Sequence, residues 1–198
     1  MLFLFAGAAA PTPAIDAATP TRVVERFHET LVSVLQEAET LAYEGRFRRL
    51  EPAIERAFDL EFMARFAIGT AWNDLDEGQR RTWVEQFRAF TIANYASRLR
   101  RYGGERFEVL GEEPAARGTV FVRTRVVRPG DEDVSLVYRL RETEQGWRIV
   151  DVYAKGTVSE LALRRSEYSS VLRKDGFTRL LEVIQGKISE LAAGKTDA

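Results

Sequence analysis

The sequence predicts an α+β domain, in which a twisted antiparallel sheet of about four strands carries N- and C-terminal helices on one face. Three observations predict it. Hydrophobic residues recur with a helical period from Thr21 to Tyr102, with a period of two from Phe107 to Ala154, and with a helical period again from Ser159 to Ala193. The period-two stretch is cut by three turn-rich segments, so its strands follow one another as a meander. A chain of 198 residues with 45% hydrophobic content is also long enough for one self-supporting core, and we place a single domain at 21–195.

Taken in order, Met1 to Ala10 reads MLFLFAGAAA, an apolar run of the length found in an export signal, followed by the Pro/Thr/Ala stretch PTPAIDAATP. Residues 1–20 are therefore read as a residual signal or a disordered segment; the usual positively charged start is missing. The run is too short to span a membrane, which takes ~20 apolar residues. From Thr21, the residues Val24, Phe27, Leu31, Val34, Leu35 and Ala38 mark the apolar face of a first helix reaching about Tyr43. Gly45 is expected to break it, and Pro52 to sit in the first turn of a short helix carrying Ile54, Ala57 and Phe58. Asp59 can cap the next helix, Leu60 to Ile68, which Gly69 would end. Asp76 with Gln79 three residues on forms a capping pair for the longest helix, expected to run to Tyr102 with Trp83, Phe87, Phe90, Tyr95 and Leu99 on one face.

Strands are expected near Phe107–Gly111, Thr119–Arg128, Val134–Arg141 and Trp147–Ala154, with turns at Pro114–Gly118, Pro129–Asp131 and Gln145–Gly146. Arg123, Arg125, Arg139 and Arg141 alternate with Val122, Val126, Tyr138 and Leu140, so one sheet face is wet and the other covered. Two final helices are expected, Ser159 to Arg173 and Phe177 to Ala193, separated by Asp175-Gly176.

Composition then narrows the function. The 29 basic and 30 acidic residues leave a formal charge of -1 and no basic run, which argues against a nucleic-acid partner. With no cysteine, disulfides, thiolate catalysis and cysteine-ligated metals are excluded. The one histidine, His28, has no second histidine at a metal-binding spacing and is read as a helix-flank residue. No GxGxxG, GxxxxGK[ST], HExxH or GxSxG pattern is present, and no cofactor or metal is expected.

One carboxylate is of interest. Counting by two places Asp151 on the strand face of Trp147, Ile149 and Tyr153, where it is either an arginine-paired structural acid or, beside Tyr138 or Tyr153, the general base of a small isomerase- or dehydratase-like enzyme. The aromatic stripe of the long helix likewise leaves two readings, a close-packed core or an apolar pocket between helices and sheet that takes a lipid.

Several segments, in order and spacing, resemble the MlaC or toluene-tolerance proteins, including their hopanoid-associated HpnM-like branch. They are Asp59-Leu60, Met63-Ala64-Arg65, Gly69 and Trp72; Gln79, Phe87, Phe90 and Tyr95; Val137-Tyr138-Arg139-Leu140; Gly146-Trp147-Arg148-Ile149; Asp151-Val152 and Gly156; and the run from Ser166 to Leu172. The resemblance covers most of the chain from about Thr21. It departs at Gly156-Thr157-Val158-Ser159, one residue longer than expected, and at Arg164, where a tyrosine or another polar residue is more usual.

The resemblance implies a periplasmic carrier, not an enzyme, that holds a phospholipid or a hopanoid-type polycyclic lipid between sheet and helices and passes it between membrane transporter complexes. On that reading the lipid-binding residues are Phe66, Phe87, Phe90, Tyr95, Leu99 and Leu172 on helices and Val122, Tyr138, Ile149 and Val152 on the sheet. Ile149 and Val152 can face inward together only across a β-bulge. Arg101 or Arg165 would meet the head group.

Overall fold

The computed structural model describes residues 19–194, so the expected signal segment lies, up to residue 18, outside the described residues. Helix α1, Pro20–Gln36, starts where Thr19 accepts a hydrogen bond from the Arg22 amide and Pro20 takes the first helical position. The chain then breaks and continues as α2, Ala38–Ala57, with Ala42 in a non-helical conformation (φ 49°, ψ −169°). The expected first helix to Tyr43 is thus divided at Glu37 and Ala42 rather than at Gly45. Ala38 and Leu41 keep the apolar stripe going through the junction, which hides it from periodicity.

Gly45 stays helical, and its lack of a side chain allows close approach to Leu41, whose Cβ lies 3.0 Å from where a Gly45 Cβ would be. Pro52 lies deep inside α2 rather than in a first turn; the burial of Leu50, Ala53 and Ile54 outweighs its missing amide.

Helix α3, Leu60–Ile68, has the expected bounds. Asp59 caps it through Phe62, and Gly69 ends it at φ 57°. Helix α4, Glu77–Arg98, opens with the Asp76/Gln79 capping box. It stops at Arg98 rather than Tyr102, where Arg100 Nε donates to the Ser97 carbonyl at 2.7 Å. The last helix, α5, Glu160–Ala192, is divided at Gly176 (φ 81°, ψ −177°), close to the expected break.

Between α4 and α5 lie five antiparallel strands in sequential order, one more than expected: β1 Arg106–Ala115, β2 Thr119–Val127, β3 Val134–Thr143, β4 Gly146–Ala154 and β5 Val158–Ser159. β5 is the added one, two residues that lead into α5. The turn after β4 has Lys155 and Gly156 at positive φ and is closed by the Thr157 amide donating to the Ala154 carbonyl at 3.2 Å.

β1 runs past Gly111 because Leu110 bulges out of the ladder and resets its alternation. Pro114, expected in a turn, sits opposite Val120 on this edge strand, where a missing amide is tolerated. A second bulge, at Val150, pairs Ile149 with Leu140 and Val152 with Tyr138. Leu140 and Tyr138 share a face, so Ile149 and Val152 share it too, and Asp151 turns away from Ile149, against the simple count.

Helices α1, α2, α3 and α5 pack on the sheet, whereas α4 packs on α2, α3 and α5. The outer face carries Arg123, Arg125 and Arg139, the first two paired with Glu113 and Glu108 of β1. Trp83, fully buried, holds the helices together. Its Nε1 donates to the Ala64 carbonyl at 2.8 Å and its ring meets Tyr168 edge-on. Among the described residues, no helix is long and apolar enough to cross a membrane.

Candidate functional site

Because α4 stands over the sheet rather than on it, large side chains bridge the gap incompletely. Phe27 of α1 meets Phe58, Tyr95 and Tyr138 edge-on, with ring centroids 5.1, 5.3 and 6.4 Å away. Beside this cluster lies a cavity of about 220 Å³. Its roof is Phe87, Thr91 and Tyr95 of α4 with Leu99 just past its end, and its floor Phe107, Val126, Leu136, Tyr138 and Val152 of the sheet. Leu31, Phe58, Met63 and Leu161 close the sides.

The roof follows from sequence spacing. Phe87, Thr91 and Tyr95 stand at i, i+4 and i+8 along one face of α4, and Leu99 follows as its C-cap. Asn94 and Arg98 lie beside that stripe and make its C-terminal end polar. Those two residues, with Glu160 and Arg164 of α5, line both the cavity and a neighbouring groove of about 190 Å³ that also takes in Leu163, Glu167 and Glu190, all exposed. The four therefore form the mouth.

Five of the ten expected lining residues meet at this cavity: Phe87, Tyr95, Leu99, Tyr138 and Val152. The other five do not line it. Val122 and Ile149 are fully buried in the packed part of the inner face. Leu172 packs against the core from α5. Phe90 faces the outer groove beneath Arg164, whose guanidinium carbon is 4.5 Å from the ring centroid.

Phe66 is 39% exposed and stacks on Phe62. Arg165 lies over Phe66 at 4.7 Å and Arg141 over Phe62 at 4.5 Å, so two distant guanidinium groups cover what read as a core stripe. Neither Arg165 nor exposed Arg101, which lies beyond α4, is among the residues lining the cavity. Arg98 and Arg164 occupy the mouth instead. The available signals were the amphipathic gradient toward Arg98 and the unusual arginine at 164.

His28 is in the core and not on the helix flank. Its Nε2 lies 3.0 Å from the Tyr138 hydroxyl, and its ring centroid is 4.5 Å from that of Phe107. Burial depresses the imidazole pKa to about 4. The hydroxyls of Tyr95 and Tyr138 are pushed up by burial, so both stay neutral at ordinary pH.

Asp151 borders the cavity with both oxygens engaged. Oδ1 accepts from the Val152 and Leu161 amides at 2.8 and 3.2 Å, and Oδ2 from the Ser159 hydroxyl at 2.6 Å. Burial raises its pKa while these bonds oppose the rise. The carboxylate thus fastens β4 to the start of α5 through amides and a hydroxyl in place of the expected ion-paired arginine. Among the described residues, no group of three or more His, Cys, Asp or Glu side chains is placed to hold a metal ion.

A family model described as MlaC protein matches residues 25–185. Among solved structures, the chain is similar to the phospholipid-binding protein from Ralstonia solanacearum, a structure in complex with a phospholipid. The two share 21% identity with a TM-score of 0.74, over 89% of this chain and 99% of that one. No curated protein matches the chain.

Proposed function

The chain belongs to the MlaC family, and from that premise we propose that it is a lipid-binding carrier whose single domain, 21–195, buries acyl or polycyclic hydrocarbon between α4 and the sheet. The supporting observation is the cavity, apolar on roof, floor and sides, with its charged groups gathered at one end. Each buried methylene contributes ~0.8 kcal/mol, so one long acyl chain yields on the order of 10 kcal/mol before the costs of association. Such a lining needs no directional contacts to retain its cargo.

Its volume of about 220 Å³ lies below the roughly 300–1,000 Å³ usual for ligand pockets. Loading a two-tailed lipid therefore requires α4 and the first half of α5 to move apart from the sheet. In this reading the protein works in the periplasm, takes a phospholipid or a hopanoid-type lipid from one membrane complex and delivers it to another, and carries out no catalysis. The engaged oxygens of Asp151 support a structural rather than a chemical role for that acid.

Organic extraction of freshly purified protein followed by mass spectrometry tests the proposal. We expect a lipid in stoichiometric amount that is missing from an unrelated protein purified from the same host. An extract no richer than that control after incubation with lipid vesicles would overturn it.

A further inference from the structure

We propose that the groove between α1, α2 and β4 binds an acidic segment of a partner protein, held by Arg26, Arg56 and Arg148. The groove has a volume of about 400 Å³. Arg26 and Phe27 line it from α1, and Arg56 lines it from α2 together with Ala53 and Ala57, three and one residues away on the same helical face. The two alanines are too small to fill the space opposite Phe27, and Arg148 reaches it from β4. None of the lining residues is shared with the cavity or its mouth, so the site stands apart from the cargo and does not rest on the carrier reading.

Charge sets this groove apart. Arg22, Arg49, Arg88, Arg123, Arg125 and Arg141 each lie within 4.0 Å of a carboxylate oxygen. Among the described residues, Arg26, Arg56 and Arg148 have no such partner. Arg148 donates only to neutral oxygens, the Trp147 carbonyl at 3.0 Å and the Gln145 side chain at 3.4 Å. No acid lines the groove, whereas the cavity has Asp151 and Glu160 beside its arginines and the groove at the mouth has Glu160, Glu167 and Glu190. Three positive charges thus gather at one place in a chain whose formal charge is -1, and they attract an anion. Guanidinium forks take carboxylate oxygens two at a time, and arginine clusters are a recurrent means of reading acidic motifs.

The floor and the surroundings favour a narrow protein segment. Phe27, Ala53 and Ala57 give the groove an apolar floor that a small oxyanion would leave uncovered, while a peptide can lay an apolar side chain there between its carboxylates. Acids flank the site on both sides: Glu25 and Glu29 line the groove on the far side of α1, and Glu55, Glu61, Glu142 and Glu144 line the one that shares Arg148. A broad anionic surface such as a membrane leaflet would meet those carboxylates along with the arginines and be repelled. A segment confined to the groove meets only the arginines.

The test measures fluorescence anisotropy of a rhodamine-labelled peptide, Glu-Asp-Leu-Phe-Asp-Glu, mixed with the full-length protein in phosphate-free buffer. Its counterpart, Gln-Asn-Leu-Phe-Asn-Gln, keeps the apolar residues and lacks the charge. The native protein should bind the acidic peptide at least about tenfold more tightly than the counterpart, and the preference should shrink as added salt screens it. Arg26→Gln with Arg56→Gln, both at exposed positions, should weaken acidic-peptide binding about tenfold and leave extractable lipid unchanged. Arg26→Glu alone should weaken it even if the double variant folds poorly.

Equal affinity for the two peptides, or an unchanged affinity in Arg26→Glu, would overturn the site. Competition by inorganic phosphate as strong as that by unlabelled acidic peptide would reassign the groove to a small oxyanion and overturn the protein partner. Binding to dioleoylphosphatidylglycerol vesicles that the double variant loses would do the same in favour of a membrane surface. None of these results bears on the lipid extraction that tests the carrier, so the two readings fail separately.

Discussion

At the scale of single residues, the buried groups His28 and Asp151 respond to pH in opposite directions. His28 titrates at 6.5 when unfolded and about 4 when folded, so the native state binds fewer protons across that interval and stability rises with pH. The stability is fully present above pH 6.5 and is lost as pH falls through about 4, amounting to about 3 kcal/mol. Asp151 holds its proton more tightly when folded, so its contribution falls as pH rises through the carboxylate range. Replacing His28 with glutamine removes the first effect while retaining a partner for the Tyr138 hydroxyl. Urea unfolding at pH 7 and pH 4 should therefore differ by about 3 kcal/mol less in His28→Gln than in the native protein. Such buried neighbours were hard to read from sequence, because the apolar stripe of α1 marks which face turns inward but not that His28 would find Tyr138 across the interface, 110 residues away.

At the scale of elements, helix ends were legible wherever a side chain or a glycine carries the local geometry, as at Asp59, at Asp76 with Gln79, and at Gly176. Ala42 carries no such signal, since alanine advertises no break, yet its φ of 49° and ψ of −169° fall in a region that glycine occupies almost alone. Relief of that strain, about 1–3 kcal/mol, exceeds the unfolded-state entropy a glycine adds. Ala42→Gly should thus raise stability by about 1 kcal/mol, and Gly176→Ala should lower it by about 1–3 kcal/mol, both read from urea midpoints. The bulge at Val150 was equally silent. No glycine or proline flags it, and it alone decides that Ile149 and Val152 share a face while Asp151 leaves it.

For the molecule as a whole, the fold class was legible from the two periods and their order, and the cavity was not. A residue lining a hollow and one filling a core occupy the same helical or strand phase, so Phe87 and Ile149 read alike although only Phe87 borders the cavity. The difference arises because α4 rests on its neighbouring helices and not on the sheet. Filling the space tests its purpose. Leu136→Trp, from the cavity floor, should leave the melting temperature unchanged or slightly raised and reduce extractable lipid several-fold. A retained lipid load in a well-folded variant would move the binding site elsewhere.

The sheet ends unevenly. Its β4 margin is occupied by β5 and by the Phe58–Asp59 corner, whose Asp59 amide donates to the Ile149 carbonyl at 2.9 Å. Its β1 margin is open, but Leu110 interrupts the row of backbone groups, Pro114 lacks a donor, and Glu112 places a carboxylate along it. A regular, uncharged edge would invite the same strand of another copy to extend the ladder and polymerise the protein through its backbone. The bulge at Leu110 and the missing donor at Pro114 deny such a strand the regular row of backbone partners it needs.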